Sequence, residues 1–304
     1  MSSSLVRMGG GGMVYPTVKM FELLPMFLVG NEKMIPHLPA IVAASIENGA
    51  DLVHCTSAQF QLLVDRGVPP ECLDPVVRTK EDYAVVKQAV KSMVHQPVHF
   101  GLPVTQLGAK MLLGWKCLED AQEFFDELIA EAVDDKAIVT AVLRNSLSCR
   151  FAGNQLSATA IADEAFRLIA MKKCSRVIFE DGVGECQPRY VENLVKTVCS
   201  TGSVSRDQLG FLFRTTDGYL MGNSLNKALG FAVPNYCVVT GAAGKPRFAD
   251  NILCSTEFLQ ILTATMESGN RDVDDGLELL EKSKRLSASV RKALGVEASD
   301  QTIS

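Results

Sequence analysis

Few side chains in this sequence stand where chemistry would need them. His54 lies near the end of an apolar run, "ADLVHCTS" (50–57). A histidine there is a candidate base or metal ligand, and equally a packed, hydrogen-bonded core residue. The run "SRVIFEDG" (175–182) closes on Glu180 and Asp181. Neighbouring side chains alternate across a strand, so only one of these carboxylates can face a barrel interior. Asp181 fits two roles, a ligand or polar anchor, or a cap for the loop that Gly182 and Gly184 allow to turn tightly. Arg214 follows "QLGFLF" (208–213). A guanidinium at such a strand end needs an anion or a paired carboxylate, for which Asp181 and Asp217 are the candidates. In "GAAGKPR" (241–247) the glycines precede Lys245 and Arg247. The spacing falls two residues short of a phosphate loop, and no Ser or Thr follows the lysine. Lys245 and Arg247 are therefore read as anion-binding candidates or as cations on a solvated loop.

What is missing narrows the chemistry further. The four histidines (37, 54, 95 and 99) form no H-x-H or H-E-x-x-H pattern, and no G-x-S-x-G occurs. His95 and His99 flank Pro97 at the start of an apolar run, which predicts a place on the non-catalytic side of a barrel. A metal site would have to be rich in carboxylates, and the strand ends do not gather enough. The nine cysteines include no C-x-x-C pair and mostly sit in apolar runs, which suits reduced, buried thiols. A net charge of −5 offers no footprint for nucleic acid or an anionic membrane. No apolar run reaches membrane-spanning length.

The elements that must carry these residues alternate along the chain. Continuous apolar runs occur at 18–24, 50–57, 97–104, 137–146, 175–182, 208–216 and 235–242, with a shorter eighth candidate at 251–255. Runs of this kind are strands buried on both faces. Between them lie helical stripes. Leu118, Ala121, Phe125, Leu128 and Ala132 step by three and four. Thr79 and Asp82 have capping-box spacing, and Pro188 suits a first helical turn ahead of Val191, Leu194 and Val198. An open doubly wound sheet would carry a glycine-rich loop after its first strand, and residues 25–33 supply none. The fold expected is an α/β (β/α)8 TIM barrel over 17–295, closed by helices within 273–294. Residues 1–16, with four consecutive glycines, and 296–304 read as tails. The first also has the Ser- and Arg-bearing, acid-poor character of a mitochondrial targeting segment, with a cytoplasmic location the alternative.

"VKMFELLPMFLVGNEK" (18–33) resembles the first strand and loop of the hydroxymethylglutaryl-CoA lyases, metal-dependent barrel lyases. "NGADLVHCTS", "SCRFAG", "FEDGVGECQP", "TTDGYLMGNSLNKAL" and "VVTGAAGKP" continue the likeness in order, over about residues 18 to 290. The resemblance implies Mg²⁺ or Mn²⁺ as cofactor where the chemistry survives, an acyl-CoA substrate and a homodimer. It also places the family's functional positions here on unsuitable residues. Its first-loop Arg and metal-binding Asp fall on Met26 and Phe27, and its second-strand Glu on His54. Its two metal-binding histidines fall on Leu212 and Arg214, and its catalytic Cys on Lys245. Its metal-binding Asn lies nearest Asn251 or Leu253, and only one Asp is kept, as Asp181. The apolar stretch 26–29 then reads as a plug in a dismantled catalytic loop.

Three functions follow from that pattern. The favoured one is a barrel without the family's metal and without its catalysis, binding a protein partner or an acyl-CoA-like anion through Arg214, Lys245 and Arg247. The second is a metal-free aldolase in which Lys245, its pKa lowered beside Arg247 or Arg214, forms a Schiff base. The third is an active carbon–carbon lyase whose metal ligands lie at positions other than those matched here.

Overall fold

The computed structural model describes residues 18–23, 25, 32–149, 156–239, 253, 255–268 and 274–293. Eight parallel strands close on themselves in chain order. They are β1 (Lys19–Glu22), β2 (Ala50–Thr56), β3 (Leu73–Val77), β4 (Pro97–Pro103), β5 (Ile138–Ser148), β6 (Arg176–Asp181), β7 (Leu209–Leu212) and β8 (Asn235–Val238). The ring closes where Lys19 to Glu22 pair with Asn235 to Val238. This is the (β/α)8 barrel that the alternating runs predict.

Helices pack outside the ring. They are α1 (Leu38–Glu47), α2 (Ser57–Asp65), α3 (Lys80–Ala89), α4 (Gln106–Leu113), α5 (Leu118–Asp134), α6 (Ala158–Phe166), α7 (Pro188–Cys199) and α8 (Gly218–Gly230). Two more, α9 (Ser255–Ser268) and α10 (Asp274–Ala293), follow the last strand as the closing helices. The α5 stripe is buried at Ala121, Phe125, Leu128 and Ala132. Fully burying a Phe or Leu of this kind stabilises by roughly 2–3 kcal/mol. Helix starts are set by local chemistry. Thr79 accepts from the Asp82 amide at 3.1 Å, and Pro188 occupies the first position of α7. No described helix is long and apolar enough to cross a membrane.

Two strand assignments from the sequence need correction. The strand β3, "LDPVV", is absent from the apolar runs because Pro75 interrupts it, and proline in a central strand removes a ladder donor. The barrel accommodates Pro75 because pairing with β4 begins only at Val76 and Val77. The eighth candidate, 251–255, supplies no strand among its described residues. Leu253 instead joins two strand ends, donating to the Phe213 carbonyl and accepting from the Val239 amide, each at 3.0 Å. The run at 97–104 is therefore the fourth strand, and that at 235–242 the eighth. His99 is the third residue of β4 and lies inside the barrel with His54, not at its non-catalytic end. Residues 26–29, read as a plug, lie outside the described residues.

Candidate functional site

Three successive strands send one polar side chain each into the barrel interior. His54 on β2 and Asp74 on β3 are register partners, so their side chains stand side by side. His54 Nε2 lies 3.1 Å from Asp74 Oδ2, and His99 Nδ1 lies 3.8 Å from the same oxygen. The two imidazoles meet edge to face, with centroids 4.5 Å apart and planes at 89°. Phe21 of β1 stacks along His54, and the Arg176 guanidinium lies 4.9 Å from the Phe21 ring centre. His54 and Asp74 are fully out of solvent, and His99 keeps 8% of its side chain exposed.

Burial decides the electrostatics here. Burial pushes the Asp74 carboxyl upward, but the adjacent His54 and His99 imidazoles outweigh it and hold the group well below the usual carboxylate range. Burial, reinforced by His54 and by the more distant Arg144, draws His99 down to about 4, and Asp74 only partly offsets this. The Arg176 guanidinium is also lowered by burial, with Asp74 opposing.

A second cluster sits at the carboxyl ends of β5, β6 and β7. Arg144 Nε donates to Glu180 Oε2 at 2.6 Å, and Arg214 Nη2 approaches Glu180 Oε1 at 3.4 Å. The Asn145 amide also donates to Oε2, at 3.2 Å. Glu180 and Arg214 are nearly buried, whereas Arg144 keeps 41% of its side chain open. The Arg144 side chain passes over Gly101 of β4, where an added Cβ would lie 3.5 Å from its Cδ. That approach brings a cation to the barrel mouth above His99.

Alternation sends Asp181 the other way. Its carboxylate accepts from Ser148 Oγ and, at 2.9 Å, from the Gly184 amide. Ser148 Oγ accepts from the Val183 amide at 3.0 Å, and Thr216 Oγ1 donates to the Val183 carbonyl at 2.7 Å. Asp181 thus organises the loop after β6. Burial raises its carboxyl against these hydrogen bonds. Gly182 is needed there for close approach, since a Cβ would come within 2.7 Å of the Ser148 carbonyl oxygen.

The structure brings together only some of the residues singled out by sequence. Arg214 finds a carboxylate, but it is Glu180, and its Nε donates at 2.8 Å to the Asp181 carbonyl. Asp217, the other candidate partner, caps α8 through the Leu220 amide at 3.0 Å. Lys245, Arg247, Phe27 and Asn251 lie outside the described residues. Asp74 and Arg144 are the additions, and Glu180 and His99 stand where the sequence reading did not put them. An ionisable residue inside each otherwise apolar run is the signal that marks Asp74, His99 and Arg144.

Solved structures supply the comparison. A hydroxymethylglutaryl-CoA lyase from Brucella melitensis superposes with a TM-score of 0.72 at 13% identity, covering 90% of this chain and 99% of that one. This chain has the barrel fold of the hydroxymethylglutaryl-CoA lyases. The lyase from Pseudomonas aeruginosa gives 0.70 at 15% identity, over 92% of this chain and 98% of that one. The lyase from Acinetobacter baumannii, in complex with coenzyme A and 3-methylmalate, gives 0.70 at 14%, over 93% of each chain. No family model matches the sequence, and no curated protein matches it.

Of the positions that the resemblance assigns to the lyases' metal ligands, Leu212, Arg214 and Leu253 are among the described residues. Leu212 is an apolar, buried side chain at the end of β7. Arg214 brings a positive charge already engaged by Glu180. Leu253 is fully buried and offers no ligand atom from its side chain.

Proposed function

We propose that this lyase-type barrel binds a small carboxylate-bearing or acyl-CoA-like anion at its mouth and does not perform metal-dependent carbon–carbon cleavage. The observation that carries this reading is the convergence of Arg144 and Arg214 on the carboxylate of Glu180. Arg144 keeps 41% of its side chain open on a partly desolvated rim, with Arg214 across the same carboxylate. Planar guanidinium forks suit carboxylates and phosphates, which they grip through paired hydrogen bonds. Arg144, open on one side, would meet the anion first, and Glu180 holds its guanidinium in place. A relative of the same fold binds coenzyme A and a dicarboxylate, which favours this ligand class. On the resemblance alone we add a homodimer in mitochondria.

The test pairs catalysis with binding. Purified protein would be given hydroxymethylglutaryl-CoA with Mg²⁺ or Mn²⁺ and scored for acetoacetate. Calorimetry with coenzyme A and with malate would follow, on the unchanged chain and on Arg144→Gln. The reading expects no turnover, and binding weakened about tenfold by the substitution. Metal-dependent acetoacetate release, or binding indifferent to Arg144, overturns it.

A further inference from the structure

We propose that His54, Asp74 and His99 form a binding site for a zinc-type divalent cation inside the barrel, away from the family's metal positions. One ligand atom from each of the three lies within 4.8 Å of the others. The side chains come from adjacent strands β2, β3 and β4, so the ladder itself fixes their spacing. A site on strands is held more firmly than one on loops.

The second observation is the state of the polar atoms. Both ring nitrogens of His54, both carboxylate oxygens of Asp74 and Nδ1 of His99 are buried without a hydrogen-bond partner. The 3.1 Å approach of His54 Nε2 to Asp74 Oδ2 satisfies distance but not the alignment of a ring N–H. Thr140 Oγ1, on the residue paired with His99 in β5, is likewise buried and without a partner. Each such group left unsatisfied has given up its hydration with nothing in return. A cation bound through one atom of each side chain would satisfy three of those groups at once.

The donor set chooses the cation. Two imidazoles and one carboxylate suit Zn²⁺, Co²⁺ or Ni²⁺, whereas Mg²⁺ demands more oxygen ligands and keeps its waters. Three protein ligands leave a fourth position for water or a small ligand. Phe21 walls one side of His54, and Arg176 competes for the field of Asp74. Affinity is therefore lower than a site with the same ligands and no neighbouring guanidinium would show.

The experiment uses the full chain, stripped of metal and titrated with Co²⁺ and Zn²⁺. One equivalent of Co²⁺ should give visible d–d absorption without the near-ultraviolet charge-transfer bands of thiolate ligation. Asp74→Asn should weaken binding at least about tenfold. Ring ¹⁵N signals of the four histidines in the unchanged chain provide a second readout that does not depend on the folding of that variant. Zn²⁺ should move the His54 and His99 signals and leave His37 and His95 in place. Sub-stoichiometric binding, thiolate bands, shifts confined to His37 or His95, or no shift at all overturns the proposal.

Discussion

Arg144 Nε sits 2.6 Å from Glu180 Oε2, joining the end of β5 to the end of β6 across the barrel mouth. The other oxygen of that carboxylate faces Arg214 at 3.4 Å. Glu180 therefore does two opposed things. It holds two cations in place, and it competes with any incoming anion for them.

Glu180→Gln separates these roles. The amide keeps an acceptor for the Asn145 amide but loses the charge that offsets two guanidiniums. Breaking one side of a nearly buried ion pair costs about 3 kcal/mol. Anion binding should move the other way, tightening about tenfold as the competing carboxylate disappears. Denaturant titration and calorimetry with coenzyme A on the same variant read the two effects. Weaker binding would mean that Glu180 acts mainly by positioning the guanidiniums.

Gly182→Ala tests the loop that Asp181 organises. A Cβ there meets the Asn145 side-chain amide, which can swing aside, and the Ser148 carbonyl oxygen at 2.7 Å, a backbone atom that cannot. The loop must shift, which loosens the Ser148–Asp181 contact and costs about 2 kcal/mol. Thermal unfolding should fall accordingly, while Gly218→Ala, with open space around it, should stay near the unchanged protein.

The barrel was legible because strands buried on two faces leave long apolar runs, and seven of its eight strands announce themselves that way. The eighth, β3, was hidden by Pro75 and carries Asp74, the centre of the interior cluster. Missing it moved His99 one strand too early and to the wrong end. Arg214 was legible as a cation in need of a carboxylate. Its partner was not, because the choice between Glu180 and Asp181 depends on which phase of the β6 alternation faces inward. No spacing in the sequence marks that phase, whereas Arg176, four residues before Glu180, marks it in the fold.

His99 makes stability depend on pH. Its folded value of about 4 lies below the ordinary 6.5, so the unfolded chain takes up the proton first as pH falls. The contribution is fully present above about 6.5 and is lost as pH drops towards 4. Asp74, held low beside it, loses its own contribution at still lower pH. His99→Gln should flatten the stability profile between pH 6.5 and 4, measured by urea unfolding across that range. An unchanged slope would place the titration elsewhere.

Asp51 works against His99 in nearly the same window. Burial lifts its carboxyl from 3.8 to about 6, and the Met20 amide, 3.0 Å from Oδ2, only partly counters this. The folded chain then holds a proton that the unfolded chain has released. Its contribution is present below about pH 3.8 and is lost as pH rises through 6, so near neutrality the ionised group is a burden. Asp51→Asn keeps an oxygen for the Met20 amide and removes the buried charge. It should stabilise the barrel by about 2 kcal/mol near pH 8 and by much less near pH 4. Melting curves of the two proteins at both pH values decide the matter. A gain of equal size at each pH would show that the benefit came from packing, and the buried charge would not be its source.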